Sequence, residues 1–112
     1  MTKRITKVTT KTGDDGTTGM ADGSRLSKSS ALISAIGEID ELNSWIGLLA
    51  SSSSLNKEIE LLRKIQNDLF DIGGCLAMRS RIGLDERKIE WLEERVNEHN
   101  KELPSLDNFI LP

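Results

Sequence analysis

Four glycines between Gly13 and Gly23 bar a regular helix from the front of this chain, because each costs about 1 kcal/mol relative to alanine at a helical position. Residues 1–30 are rich in Thr, Gly, Lys, Ser and Asp and carry few large apolar side chains. That block reads as an extended segment around Ile5 and Val8, followed by a glycine-rich loop. Such a segment gains order from a ligand or a second surface rather than from its own core.

From Ser30 onward the pattern turns helical. Ile33, Ile36, Ile39, Leu42 and Ile46 recur at three- and four-residue steps and form one apolar stripe. Ser29 or Ser30 is the expected cap, and the Ser51–Ser54 run the expected end. A second stripe runs through Ile59, Leu62, Ile65, Leu69, Ile72 and Leu76, with Asn56 as the expected cap. A third helix is expected from about Asp85, with Ile89, Leu92 and Val96 facing inward, up to a stop at Pro104. The residues after it, 106–112, form a short apolar tail. Short loops make antiparallel packing the simplest arrangement, so the expected class is all-α: an up-down helical bundle behind a polar N-terminal loop. With 112 residues the chain suits a single domain, divided into a loop part, 1–30, and a helical part, 31–112. Three helices close only a thin core. The abrupt stop at Phe109–Ile110–Leu111–Pro112 leads to the expectation that the chain is a C-terminally incomplete form of a longer bundle.

The net charge of −3 and pI near 5.2 give no electrostatic reason to expect nucleic acid or an anionic membrane as partner. No apolar run approaches the roughly 20 residues of a membrane span, and no secretory signal pattern opens the chain. The single cysteine, Cys75, excludes an internal disulfide and fits a reducing compartment, so cytoplasmic residence is expected. An anionic ligand would have to be held by local donors rather than by a global field.

The stretch Thr9–Met20 contains such donors. Gly13, Gly16 and Gly19 permit positive φ and remove Cβ atoms that would block close approach of a phosphate. The hydroxyls of Thr10, Thr12, Thr17 and Thr18 can donate to phosphate oxygens, and Lys11 adds a point charge. Bare phosphate would repel Asp14 and Asp15, so these suit hydrogen-bond acceptance or proximity to a metal. The order does not follow the GxxxxGK[ST] pattern. The same composition also makes ordinary surface loops, and residue chemistry alone leaves both readings open.

Four ordered matches carry a family resemblance. The loop Thr10–Lys11–Thr12–Gly13–Asp14–Asp15–Gly16–Thr17 is similar to a TKTGD-G-T signature. Ile36–Gly37–Glu38–Ile39–Asp40–Glu41–Leu42–Asn43 is similar to a helix motif ending in DELN. Phe70–Asp71–Ile72–Gly73–Gly74 is similar to an LFD-G segment, and Phe109–Ile110–Leu111–Pro112 resembles a FILPGG motif up to its glycines. Together they span almost the whole chain, which on these motifs resembles the PduO-type ATP:corrinoid adenosyltransferases.

The resemblance implies a ferritin-like helical bundle of the cobalamin adenosyltransferase type, here its first three helices. It also implies an enzyme that transfers the 5′-deoxyadenosyl group of ATP to the cobalt of a reduced corrinoid such as cobalamin, releasing triphosphate. By position, Thr10, Lys11, Thr12, Gly13, Thr18 and Gly19 would line the ATP phosphates, with Lys28 reaching the nucleotide. Asp40 matches a carboxylate that in relatives pairs with a neighbouring subunit's arginine near the corrinoid. Phe109 matches the aromatic residue that displaces the lower axial ligand of cobalt; Asp40 and Phe109 are thus the expected catalytic pair. ATP would arrive with Mg²⁺, with no metal held by the protein's own side chains. The expected assembly is a homotrimer with intersubunit sites, and the reduction step implies a corrinoid reductase as a further partner.

Two departures stand against the family pattern. Asp15 replaces the usual basic residue after Gly-Asp, and the arginine-rich RRAER-like and N-LSD segments of relatives have no counterpart here. The chain by itself is therefore expected to have little or no transfer activity, and a non-catalytic ATP- or corrinoid-binding module, or an inactive fragment of the transferase, is the alternative. A helical interaction protein with a disordered N-terminal arm is a third reading. Without the resemblance, Asp40 reads as part of a solvated acidic face with Glu38 and Glu41, Phe109 as a packing residue and Lys28 as a surface lysine. His99 reads as exposed, Cys75 as a small core residue, and Trp45 and Trp91 as core or interface anchors.

Overall fold

The computed structural model describes residues 2–3, 5–79 and 85–112. They divide into two compact units, one up to residue 82 and one from residue 83. The first holds two short strands, β1 (Thr17–Gly19) and β2 (Arg25–Ser27), and two long helices, α1 (Ala31–Ala50) and α2 (Ile59–Met78). The second holds α3 (Glu86–Lys101) and the tail that follows it.

α1 starts where expected. Ser30 adopts extended backbone and its hydroxyl accepts from the Ile33 N–H at 3.4 Å, satisfying one of the donors that a helix start leaves open. Ser51 closes the helix, and a three-residue 3₁₀ turn, Ser53–Leu55, leads towards α2. The expected cap at Asn56 is corrected here: α2 begins at Ile59 with Glu58 in the cap position and no side-chain cap bond. The backbone itself makes the turns at this point, through Leu55 N–H to Ser52 O and Glu58 N–H to Leu55 O.

α1 and α2 pack together as a helical hairpin. Ile33, Ile36, Ile39 and Ile46 on one side, and Ile59, Ile65, Leu69, Ile72 and Leu76 on the other, are half-buried, and Leu62 is buried at 8% exposure. Leu42, counted in the stripe, is exposed. A reciprocal pair of amide bonds links the helices at mid-length. Asn43 Nδ2 donates to the Gln66 carbonyl at 3.1 Å, and Gln66 Nε2 donates to the Asn43 carbonyl at 3.2 Å. The two residues lie equidistant from the connection, as antiparallel register requires. Gly47 belongs to the same contact: a Cβ there would lie 3.0 Å from Gln66 Nε2. Cys75 is half-buried on α2.

α3 is capped by Asp85, whose carboxylate accepts from the Arg87 N–H at 3.0 Å and from the Arg87 guanidinium at 2.8 Å. These bonds hold the Asp85 carboxyl below its ordinary value. The helix ends at Lys101, ahead of Pro104, because Glu102 already takes the C-cap. The expected inward face is corrected. Ile89, Leu92 and Val96 are exposed, since α3 is the one element among the described residues of its unit and has no neighbour there to cover it. Arg95 lies over the Trp91 ring at 5.7 Å from the centroid and pairs with Glu98 at 2.8 Å. His99, expected to be exposed, is so, with Nδ1 2.7 Å from the Arg95 carbonyl.

Candidate functional site

The polar front block, expected to be an irregular loop, contains a small antiparallel ladder. Thr17 pairs with Ser27, Thr18 with Leu26, and Gly19 with Arg25. A turn closes it, through Met20 N–H to Ser24 O at 2.7 Å and Gly23 N–H to Met20 O at 3.0 Å. Gly23, at φ +85°, takes a conformation that L-residues with a Cβ rarely adopt.

Ahead of the ladder the chain winds through two tight turns, Asp14 N–H to Lys11 O at 3.3 Å and Gly16 N–H to Gly13 O at 3.2 Å. Lys11 itself sits at φ +61°, a left-handed conformation that local contacts must hold. Asp15 anchors the second turn. One of its oxygens accepts from the Thr17 N–H at 2.9 Å and from the Thr17 hydroxyl at 2.7 Å, the side-chain-to-backbone mimicry of turns that suits aspartate. The Thr17 hydroxyl and N–H bonds, with the nearby Arg25 charge, hold the Asp15 carboxyl below its ordinary value. Asp15, read as a hydrogen-bond acceptor, is one.

The structure brings several of the expected residues together. The Lys28 N–H donates to Gly16 O at 2.9 Å, which returns the chain after β2 to the glycine turns. Its ammonium then lies against Gly13: a Cβ on Gly13 would be 2.9 Å from Lys28 Nζ and 3.0 Å from the Thr17 carbonyl. Gly13 is thus needed for close approach. Thr10 and Thr12 place their hydroxyls 3.1 Å apart. Thr18 is half-buried and Gly19 exposed in β1. Neither Lys11 nor Lys28 has an ion-pair partner among the described residues, in a chain whose net charge is −3. Ammonium groups, hydroxyls and exposed turn backbone are the kinds of donor that an anion takes.

Asp40 and Phe109 belong to other elements of the chain than that cluster. Asp40 is exposed on α1 and borders an open polar groove of about 410 Å³ with Asn43, Ser44, Gly47 and Gln66. Phe109 belongs to the second unit and is fully exposed. Among the described residues no group of three His, Cys, Asp or Glu side chains forms a metal cage.

Sequence reasoning passed over one residue at the centre of the loop's hydrogen bonds, Arg25. Its Nε donates to the Thr17 hydroxyl at 3.0 Å, and its Nη2 to the carbonyls of Thr12 at 2.7 Å and Thr17 at 3.2 Å. The available signal was its position as the one cation between Lys11 and Lys28, opposite a run of Thr and Asp.

The fold and the cluster define a class: a helical-bundle protein with a polar, glycine-rich loop in front of its first helix. Residues 8–112 match the cobalamin adenosyltransferase family, and the chain belongs to it. It is 45% identical over 113 residues to the cobalamin adenosyltransferase of Cupriavidus metallidurans, covering 100% of this chain and 61% of that one. It is 42% identical to the corrinoid adenosyltransferase of Bacillus subtilis, covering 95% and 58%. A phenylalanine-to-histidine variant of the PduO-type ATP:corrinoid adenosyltransferase from Lactobacillus reuteri, solved with cobalamin and ATP, superposes with a TM-score of 0.85. That match is at 35% identity and covers 95% of this chain and 61% of that one. The chain thus spans about three fifths of the length of these relatives.

Proposed function

We propose that this protein takes part in the transfer of the 5′-deoxyadenosyl group of ATP to a reduced corrinoid, with Thr10–Gly13, Thr18, Gly19 and Lys28 receiving the triphosphate. The observation that carries the reading is the Lys28 ammonium held against Gly13, with Lys11, which like Lys28 has no ion-pair partner among the described residues, two positions before that glycine in the chain. In an acidic chain, such a pair awaits an anion. Its chemical use is to offset the charge that builds on the leaving triphosphate as the cobalt(I) centre of the corrinoid attacks C5′ and the C5′–O bond breaks. The corrinoid supplies the nucleophile, so the chain's own residues bind, orient and neutralise. Mg²⁺ would share the phosphate charge.

In this reading residues 1–112 act as one domain, with 1–30 as the nucleotide loop and 31–112 as the helical part. Asp40 is exposed on α1, where a carboxylate can meet a cation of a neighbouring copy. Phe109 is exposed and free to meet a corrinoid face, so that an axial donor is kept from cobalt and its reduction made easier. A homotrimer, supply of electrons by a corrinoid reductase and a cytoplasmic setting complete the proposal. No helix among the described residues is long and apolar enough to cross a membrane.

The test has two stages. Isothermal titration with ATP and Mg²⁺ should give saturable heat, and Lys28→Ala should weaken it about tenfold or more, the loss of a charge-assisted phosphate contact. Anaerobic spectroscopy with reduced cobalamin then separates transfer, read as adenosylcobalamin accumulating, from the little or no activity expected of residues 1–112 by themselves. Saturable binding without product would identify a non-catalytic nucleotide-binding module. Absence of any saturable heat would reject the reading and favour a helical interaction protein.

A further inference from the structure

The two kinds of cation in the front block are used differently. Lys11 and Lys28 have no ion-pair partner among the described residues, whereas Arg25 is occupied by the loop itself. Its Nη2 bonds the Thr12 carbonyl across thirteen residues of chain and the Thr17 carbonyl across eight, and its Nε bonds the Thr17 hydroxyl. Its Nη2 also lies 4.0 Å from the Asp15 carboxylate, which offsets the guanidinium charge. Asp15 in turn holds Thr17 by two bonds. The result is a closed circuit, Asp15–Thr17–Arg25, with a branch to the Thr12 carbonyl, that ties the glycine turns to β1 and β2.

We propose that Arg25 is a positioning residue: it latches the loop from Thr12 to Thr17 into its anion-receiving shape before a ligand arrives. Phosphate contact is left to the lysines, the threonines and the backbone. Without the latch, the ligand itself must order a segment that has few large apolar side chains, and the ordering cost appears as lost affinity. A lysine cannot substitute. Its compact ammonium lacks the rigid fork that reaches a hydroxyl and two carbonyls from one side chain. The functional consequence rests on the ATP reading above, whereas the latch itself does not.

The test uses the full-length protein with Arg25→Ala, Arg25→Lys and Thr17→Val. In the absence of nucleotide, the amides of Gly16, Thr17 and Lys28 should exchange hydrogen faster in Arg25→Ala, while those of α1 and α2 keep their protection. The Kd and KM for Mg–ATP should rise about tenfold to hundredfold in Arg25→Ala and nearly as much in Arg25→Lys, from the loss of charge-assisted hydrogen bonds. At saturating ATP kcat should stay within about twofold, because the bound ligand then orders the loop. Thr17→Val, which removes the hydroxyl between Asp15 and Arg25, should move both readouts in the same direction by less. Unchanged amide exchange in Arg25→Ala, full rescue by Arg25→Lys, or a fall in kcat at constant KM would each overturn the proposal. If the unsubstituted protein binds no ATP, the functional reading fails, and the exchange measurement still decides whether the latch exists.

Discussion

The glycine-rich front and the α1–α2 hairpin hold their shape by opposite means. The hairpin is built on apolar stripes, helped by one reciprocal amide pair at Asn43 and Gln66. The front has no buried residue among those described and depends on a circuit of polar bonds around Asp15, Thr17 and Arg25. Apolar packing is non-directional and tolerates small changes of shape. A polar circuit in water contributes little net energy per bond but specifies where each group points. A loop that must present donors to an anion needs direction more than it needs strength. The hairpin serves as the mount, and Ser30 joins the two at the start of α1.

That contrast can be broken most forcefully at Leu62, the one buried apolar residue among those described. Leu62→Ala should destabilise the hairpin by about 2–3 kcal/mol, read as a lower denaturation midpoint, with amide exchange at Gly16 and Lys28 unchanged below the unfolding transition. Gly13→Ala should act the other way round. The added Cβ would meet Lys28 Nζ at 2.9 Å and the Thr17 carbonyl at 3.0 Å. The Lys28 side chain can move, but the carbonyl is backbone, so ATP affinity should fall about tenfold, roughly 1.4 kcal/mol, with the helical circular dichroism preserved. Asn43→Ala should cost about 1 kcal/mol of hairpin stability, the net worth of a part-buried hydrogen bond, with no change in ATP binding.

The smallest expected effect is on pH dependence. Asp15 has its folded value lowered, chiefly by the Thr17 bonds. Its contribution to loop order is therefore present in full above the ordinary value of 3.8 and lost as the pH falls through the lowered value. Exchange protection at Thr17 should be flat from neutral pH down to mild acid and decline only below that. Asp15→Asn should remove the acid limb. A decline that begins near neutrality would point to a different group and dissolve the circuit as drawn.

Much of the helical part was legible beforehand. The stripes from Ile33 to Ile46 and from Ile59 to Leu76, a cap at Ser29 or Ser30, an end in the Ser51–Ser54 run and a third helix starting near Asp85 follow from local spacing and local hydrogen bonding. The cap at Asn56 was misplaced because backbone-only turns carry no side-chain signature. The inward face assigned to Ile89, Leu92 and Val96 failed for another reason. An amphipathic stripe tells which side of a helix seeks cover, and says nothing of whether a neighbour within the unit supplies it. In the front block the glycines, threonines and Lys28 could be singled out from residue chemistry and family resemblance, whereas the β1–β2 ladder and Arg25 could not. Three-residue strands are too short to show alternation, and the Arg25 bonds join residues far apart along the chain.

By itself, then, the sequence determined that the front cannot be helical, where the three helices run, and to which family the chain belongs. These properties depend on neighbours one to four residues apart, or on motif order. Tertiary structure alone decided that Lys28 lies against Gly13, that Asn43 meets Gln66, and that Arg25 closes the loop. Each is a contact between segments brought together by folding, so its partner and its distance are set by the path of the whole chain rather than by any local run of residues.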